Sequence, residues 1–250
     1  MISYNYELWS NEYEFNVNIM KIDLETKLYL EKRDLDNAPS HHGLSPVELR
    51  KERLLQLQKD DLRGPDLKDV FDIAVGEDKY SKFKLRFFIP FKIRSNKQLP
   101  VLLFFHGGGF VMGDLDTHDY PCRCIAEFAE MIVISVDYRL APENKFPSAV
   151  NDAKFVLKNL DKFDLPFSID FDNILVCGDS AGGNLATVLA INHSYNLLPK
   201  VKGQILIYPC VDLTLSMKSM DINLDGLVFS GKTMEYFVKH YLKHRKDEVD

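Results

Sequence analysis

From Asp69 onward, apolar runs of strand length alternate with segments whose apolar residues recur at helical spacing. Such alternation folds as β-strands joined by crossover helices in a largely parallel sheet, an α/β architecture. Strands are expected at 69–75, 83–89, 100–105, 131–136, 173–177 and 203–208, and helices at 117–130, 147–160, 181–192 and 232–243. Only a short loop, Gly76 to Ser81, joins the first two strands, so the sheet is expected to open with an antiparallel pair. Residues 1–65 have a different texture, charged and with apolar residues at helical spacing. One helix there takes in Val17, Met20, Ile22, Leu24 and Leu28. A second starts near Pro46, with Ser45 as its N-cap and Val47, Leu49, Leu54 and Leu57 apolar. Asn37 to Gly43 reads as the loop between them. The chain therefore divides into an N-terminal helical region, 1–65, and an α/β core, 66–250.

Composition narrows the function. With 250 residues, 46% hydrophobic and 27% charged, the chain resembles an ordinary globular protein able to bury one large core. Its 31 Lys+Arg against 37 Asp+Glu leave a net charge of −6 with no basic block, so no nucleic-acid footprint is indicated. The longest apolar runs, Val101 to Phe105 and Met131 to Val136, fall far short of the roughly 18 to 20 residues of a membrane-crossing helix. No basic segment followed by an apolar one opens the chain, so a reducing, cytoplasmic setting is expected. Cys122, Cys124, Cys177 and Cys210 offer no C-x-x-C pair and no histidine at zinc-finger spacing. They are read as buried thiols, with neither a metal site nor a disulfide framework.

Two motifs carry chemistry. After the strand ending at Cys177 comes Gly178-Asp179-Ser180-Ala181-Gly182-Gly183-Asn184, followed by an Ala/Leu-rich helical run. This is G-x-S-x-G between a strand and a helix, where a nucleophile sits on a strained turn and neighbouring side chains would collide with the adjoining elements. A chance match to the pentapeptide occurs in about one chain in ten of this length, so its strand-to-helix context carries the weight. The second motif, His106-Gly107-Gly108-Gly109-Phe110, directly follows the strand Val101 to Phe105. Glycines there let backbone N–H groups approach a ligand oxygen, as an acyl-transfer enzyme requires for its tetrahedral oxyanion. The expected donors are Gly107, Gly108 and Ala181, with Ser180 as nucleophile; His106, Gly109, Gly178, Asp179 and Gly182 are expected to support the two turns.

With a third block, Asp137-Tyr138-Arg139-Leu140-Ala141-Pro142-Glu143 followed by Phe146-Pro147, these motifs resemble the hormone-sensitive-lipase-like branch of the α/β-hydrolases, from about residue 45 onward. The resemblance implies an α/β-hydrolase fold with a mostly parallel central sheet, a cap built partly from the N-terminal helices, no metal or organic cofactor, and small acyl esters as substrates. No nucleic acid is expected among the partners, and a homo-oligomer is compatible with the reading. His106 precedes Ser180, whereas the triad order of this fold is Ser, acid, His, so His106 is expected to orient the glycine loop rather than act as base. Asp137, Arg139 and Glu143 are expected to form an ion-pair and hydrogen-bond network beneath the site. The aromatic-rich start, Tyr4, Tyr6, Trp9, Tyr13 and Phe15, fits a cap lining or a core role.

The sequence also departs from the family. The triad acid and histidine belong after two further strands, which would need roughly 50 to 60 residues; the sequence instead runs into the charged tail Lys243 to Asp250. The last two strands, the acid and the base are thus expected to be absent, and a truncated fold is expected to leave strand 203–208 as an uncovered apolar edge. Asp212 is weighed as a substitute acid against a turn-capping role. His193 is carried away from Ser180 along its helix, and His240 and His244 are one turn apart without the Glu of H-E-x-x-H. Gly226 to Thr233 satisfies the G-x-x-x-x-G-K-[ST] phosphate-loop expression, but no strand precedes it. It reads instead as a loop into an amphipathic helix with Ser230 as cap and Met234, Phe237, Val238, Tyr241 and Leu242 on the buried face. The expected function is a carboxylic ester hydrolase, impaired by the missing triad partners. The alternatives are a non-catalytic, receptor-like binder of small molecules and a non-functional remnant.

Overall fold

The structure is a computed structural model describing residues 24–35, 40–60, 62–76, 78, 81–92, 98–195, 197–217, 220 and 230–244. Six strands form one sheet: β1 (Asp69–Val75), β2 (Phe83–Ile89), β3 (Leu99–Phe105), β4 (Ile132–Asp137), β5 (Ile169–Asp179) and β6 (Gly203–Ile207). Their order is β1-β2-β4-β3-β5-β6. β1 pairs antiparallel with β2, and β2 with β4, while β4, β3, β5 and β6 run parallel. The antiparallel opening and the mostly parallel centre are as the pattern predicted.

The centre of the sheet is apolar on both faces because helices cover both. Along β3, Val101, Leu103 and Phe105 point into one core cluster, while Leu102 and Phe104 point into the other. β4 divides the same way, Ile132, Ile134 and Val136 against Val133. The helices are α1 (Leu24–Leu35), α2 (Pro46–Asp60), α3 (Asp119–Ala129), α4 (Ser148–Asn159), α5 (Ala181–Ser194) and α6 (Gly231–Tyr241). β6 is the outer strand among the described residues, and its Ile205 and Ile207 are 47% and 36% exposed, the apolar edge the sequence foretold.

Three local readings are corrected. β5 begins at Ile169 rather than 173, because Ile169 pairs with Leu99 before a register shift carries the ladder to Val101 and Ile174. Inside that irregularity Asp170 accepts from Asn173 Nδ2 at 2.7 Å and from the Asp172 N–H at 3.0 Å, so the polar run Asp170 to Asn173 masks a strand. Leu24 and Leu28 of α1 are 69% and 55% exposed, so they form no buried stripe; Val17, Met20 and Ile22 lie outside the described residues, as do the aromatic residues at the start of the chain. Ser45 does cap α2, accepting from the Glu48 N–H at 3.3 Å while Glu48 accepts from Ser45 N–H at 2.9 Å, a reciprocal capping box.

The third correction concerns the network expected of Asp137, Arg139 and Glu143: Arg139 and Glu143 pair with distant elements, and Asp137 joins neither pair. Arg139 Nη2 donates to Asp152 Oδ1 of α4 at 2.6 Å, and the same carboxylate takes the Arg139 backbone N–H at 2.9 Å. Glu143 is held by both terminal nitrogens of Arg50 on α2, at 2.9 and 2.8 Å. Arg50 also donates to the carbonyls of Val111 and Ala141, each at 2.7 Å, and so ties α2 to the loops after β3 and β4.

Burial pushes the Asp137 carboxyl up to about 6, with Asp114 adding to the shift and Lys84 and Arg86 opposing it. The native state therefore holds this proton more tightly than the unfolded chain, so stability falls as pH rises from about 4 through 6 and the penalty is complete above that. Asp137→Asn is expected to stabilise the fold by about 1–2 kcal/mol at pH 8, with the gain vanishing near pH 4. Urea midpoints of both proteins across that range check it.

Candidate active site

β5 ends and α5 begins at Ser180, whose φ of 50° and ψ of −115° lie outside ordinary non-glycine conformations. The surroundings over-determine this strained turn. The Ser180 N–H donates to the Ile207 carbonyl at 2.9 Å, and its own carbonyl accepts from Asn184 N–H at 3.1 Å and Cys210 N–H at 3.0 Å. Asn184 Nδ2 closes the arrangement by donating to the Cys210 carbonyl at 2.9 Å. The glycines on either side are steric requirements: a Cβ on Gly182 would strike the Phe105 carbonyl oxygen, and one on Gly178 would strike the backbone of Gly182. The elbow is thus pressed against the end of β3, where the glycine loop starts.

In that loop the structure revises the expected oxyanion donors. Gly107 N–H donates to Asp179 Oδ1 at 2.9 Å, so it is directed at the residue preceding Ser180 and is not free for a ligand. Gly108 and Gly109 follow with φ of 115° and 60°, which reverse the chain, and among the described residues no hydrogen bond takes up either N–H. Gly109 lines one pocket together with Ser180 and Ala181. The Ala181 N–H opens α5, where the first amides have no intrahelical acceptor and the helix dipole favours negative charge. Gly109, expected only as a supporting residue, thereby replaces Gly107 among the candidate donors.

His106 is fully buried, stacked on the Tyr138 ring at a centroid distance of 4.3 Å, with Nδ1 2.8 Å from the Gly107 carbonyl. Burial drives its pKa down to about 3, with His118 adding to that and the Gly107 carbonyl opposing it, so the ring is neutral and Nδ1–H is the donor. Tyr138 Oη donates to the His106 carbonyl at 2.7 Å. His106 does not line the pocket.

The pocket is walled by Phe110, Leu213 and the α6 residues Met234, Phe237, Val238 and Tyr241. The amphipathic face expected for this helix is the one that lines the pocket; what the sequence did not tell is that it faces Ser180. Phe110 stacks on Tyr241 with ring centroids 3.8 Å apart, and Lys145 Nζ donates to the Lys239 and Leu242 carbonyls at the helix C-terminus, each at 3.0 Å. Ser230 Oγ accepts from Thr233 N–H at 3.3 Å, so these two residues of the phosphate-loop-like stretch form a helix cap; residues 226–229 lie outside the described residues.

None of the remaining candidates lines the pocket. Asp212 Oδ1 accepts from Thr214 N–H at 2.8 Å and Thr214 Oγ1 at 2.7 Å, and these bonds hold its carboxyl below the usual range in an ordinary turn. His193 lies in the last turn of α5, and His240 Nδ1 is 2.8 Å from the Tyr236 carbonyl. Among the described residues no cluster of His, Cys, Asp or Glu is arranged to hold a metal ion, and no helix is long and apolar enough to cross a membrane.

Residues 102–250 match the family model for the alpha/beta hydrolase fold. The chain belongs to the α/β-hydrolase family. Within it, the three sequence blocks place the chain in the hormone-sensitive-lipase-like branch. It is 37% identical over 208 residues to the esterase LipI of Mycobacterium tuberculosis, covering 83% of this chain and 64% of that protein. To the carboxylesterase NlhH of the same species it is 35% identical over 196 residues, covering 78% and 60%. The hyperthermophilic esterase of Pyrobaculum calidifontis superposes with a TM-score of 0.77 at 32% identity, covering 92% of this chain and 74% of that one. The chain thus spans less than two thirds of the length of these two curated relatives.

Gly182→Ala, which drives a methyl into the Phe105 carbonyl, is expected to cost about 3 kcal/mol or more, the upper range for overpacking. Chemical denaturation beside Gly203→Ala, where the added methyl meets only ordinary van der Waals contact, checks it.

Proposed function

We propose that this chain carries the nucleophile and oxyanion site of a carboxylic ester hydrolase acting on small acyl esters. The observation that carries the reading is the strained Ser180 opening into the apolar pocket that Gly109 and Ala181 also line. In this mechanism Ser180 Oγ attacks the ester carbonyl, and the N–H groups of Gly108, Gly109 and Ala181 receive the charge that develops on its oxygen. Preorganised donors of this kind are worth roughly 3 to 4 kcal/mol each. The serine proton passes to the departing oxygen, which leaves as the alcohol, and water then cleaves the acyl-serine, releasing the acid and restoring the Ser180 hydroxyl.

The pocket supports the substrate class. Its walls are Phe110, Leu213, Met234, Phe237 and Val238, which favour an uncharged acyl chain. The N-terminal region serves as part of the cap: Arg50 of α2 grips the loops after β3 and β4, and His42 lies 3.3 Å from Thr233 at the start of α6. A reducing, cytoplasmic setting agrees with four free cysteines.

Hydrolysis of p-nitrophenyl acetate and butyrate by the purified chain, beside Ser180→Ala, tests this reading. Ser180-dependent turnover is expected, with acetate and butyrate preferred over long-chain esters. In serine proteases an oxyanion site and pocket alone give roughly 10³ to 10⁴-fold over water even with the serine removed, so only the excess of wild type over Ser180→Ala counts as Ser180-dependent. Equal rates for a folded wild type and Ser180→Ala overturn the reading in favour of a non-catalytic binder.

A further inference from the structure

The amide of Gly107 is occupied by Asp179, and Asp179 is in turn gripped by a residue of another element. His118 Nε2 lies 3.3 Å from Asp179 Oδ1, the same oxygen that accepts the Gly107 N–H at 2.9 Å. Both side chains are largely shielded, 16% and 14% exposed, so the contact is only weakly screened by water. Burial by itself pushes the Asp179 carboxyl up, yet the bond and charge of His118 together with the Gly107 N–H outweigh it and hold the carboxyl below its ordinary value. The carboxylate is therefore ionised between two donors.

His118 is itself held in place. Its Nδ1 is 3.0 Å from Thr117 Oγ1, and Thr117 is locked into a turn with Asp114: its hydroxyl donates to the Asp114 carbonyl at 2.9 Å, and its N–H donates to Asp114 Oδ1 at 2.8 Å. The ring sits between Phe104 and His106, at centroid distances of 6.0 and 5.5 Å. The Asp179 carboxylate is packed directly against Gly107, since a Cβ there would strike it. Gly107 immediately precedes the two free amides, and Asp179 immediately precedes Ser180. One carboxylate thus couples the nucleophile's turn to the oxyanion loop, and His118 fixes the carboxylate.

Resting on the ester-hydrolase reading of the same site, we propose that His118 is a positioning residue that, through Asp179 and the Gly107 amide, sets where the Gly108 and Gly109 donors stand relative to Ser180 Oγ. It touches no substrate. Its contribution is geometric, and displacement of such donors by about 1 Å is enough to cost on the order of 100-fold in rate.

The test compares His118→Asn and His118→Gln in the full chain. His118 is also the N-cap of α3, a position that Asn fills well, so His118→Asn is expected to fold while its shorter side chain falls short of Asp179. Gln carries its amide nitrogen near the place of Nε2. Hydrogen exchange of the Gly107 amide, followed by NMR, is expected to speed up about tenfold in His118→Asn, the effect of weakening one hydrogen bond, and to return towards wild type in His118→Gln. In Ser180-dependent hydrolysis, His118→Asn is expected to lower kcat about 10- to 100-fold with KM little changed, again recovered by Gln. Unchanged Gly107 exchange in folded His118→Asn overturns the proposal. So does faster exchange that Gln fails to restore, since a loss of general stability would behave that way. If His118→Asn does not fold, the same exchange measurement on Asp179→Ala, which removes the acceptor, decides: protection of Gly107 at the wild-type level there overturns the coupling. Exchange is read without turnover, so a wild type lacking Ser180-dependent hydrolysis refutes the ester-hydrolase reading while the amide data still judge the role of His118.

Discussion

The Phe105 carbonyl, at the end of β3, stands where any side chain on Gly182 would have to be, and Gly182 in turn stands where any side chain on Gly178 would be. This close approach joins the two halves of the site. β3 delivers the glycine loop, β5 and α5 deliver Ser180, and the parallel pairing of Phe105 with Gly178 brings them to the same level of the sheet. Once the backbones are that close, the Asp179 carboxylate reaches the Gly107 amide and the elbow must adopt its positive φ. β6 adds a third support, because the Ile207 carbonyl takes the Ser180 N–H.

The ion pairs serve a different purpose. Arg139–Asp152 joins the segment after β4 to α4, Arg50–Glu143 joins α2 to the same segment, and Arg86 bridges Asp72 of β1 with Asp116 ahead of α3. Exposed pairs add little stability, and Glu143 is half exposed. Asp152, at 3% exposure, is another matter, since a buried carboxylate must keep its partners or suffer its full desolvation penalty. These contacts fix the approach angle of loops and helices around a core already determined by apolar packing.

Much of the sheet was legible because its central strands are buried on both faces, and residues such as Val101 to Phe105 have no polar alternative. The stretch Asp170 to Asn173 was not, because a bulge lets polar residues pair with one another inside a strand. The turn at Ser180 and the glycine loop were legible as motifs, since close backbone approach requires glycine. His118 was harder to find. Its only local signal was the Asp114-x-x-Thr117 spacing of a turn ahead of a helix, and that spacing says nothing of a partner 61 residues later at Asp179.

By itself the sequence determined the alternation of strands and helices, the antiparallel opening, Ser180 as the residue of a strained elbow, and the buried face of α6. Each of these is set by short-range properties: periodicity, steric need for glycine, and capping by Ser45 and Ser230. Tertiary structure alone decided which glycine amide Asp179 consumes, and so which donors remain. It alone paired Arg139 with Asp152 and Arg50 with Glu143, and turned α6 towards Ser180. Hydrogen bonds and ion pairs between distant segments depend on where the backbone brings their atoms, and one ångström of loop geometry redirects an amide without changing a single residue.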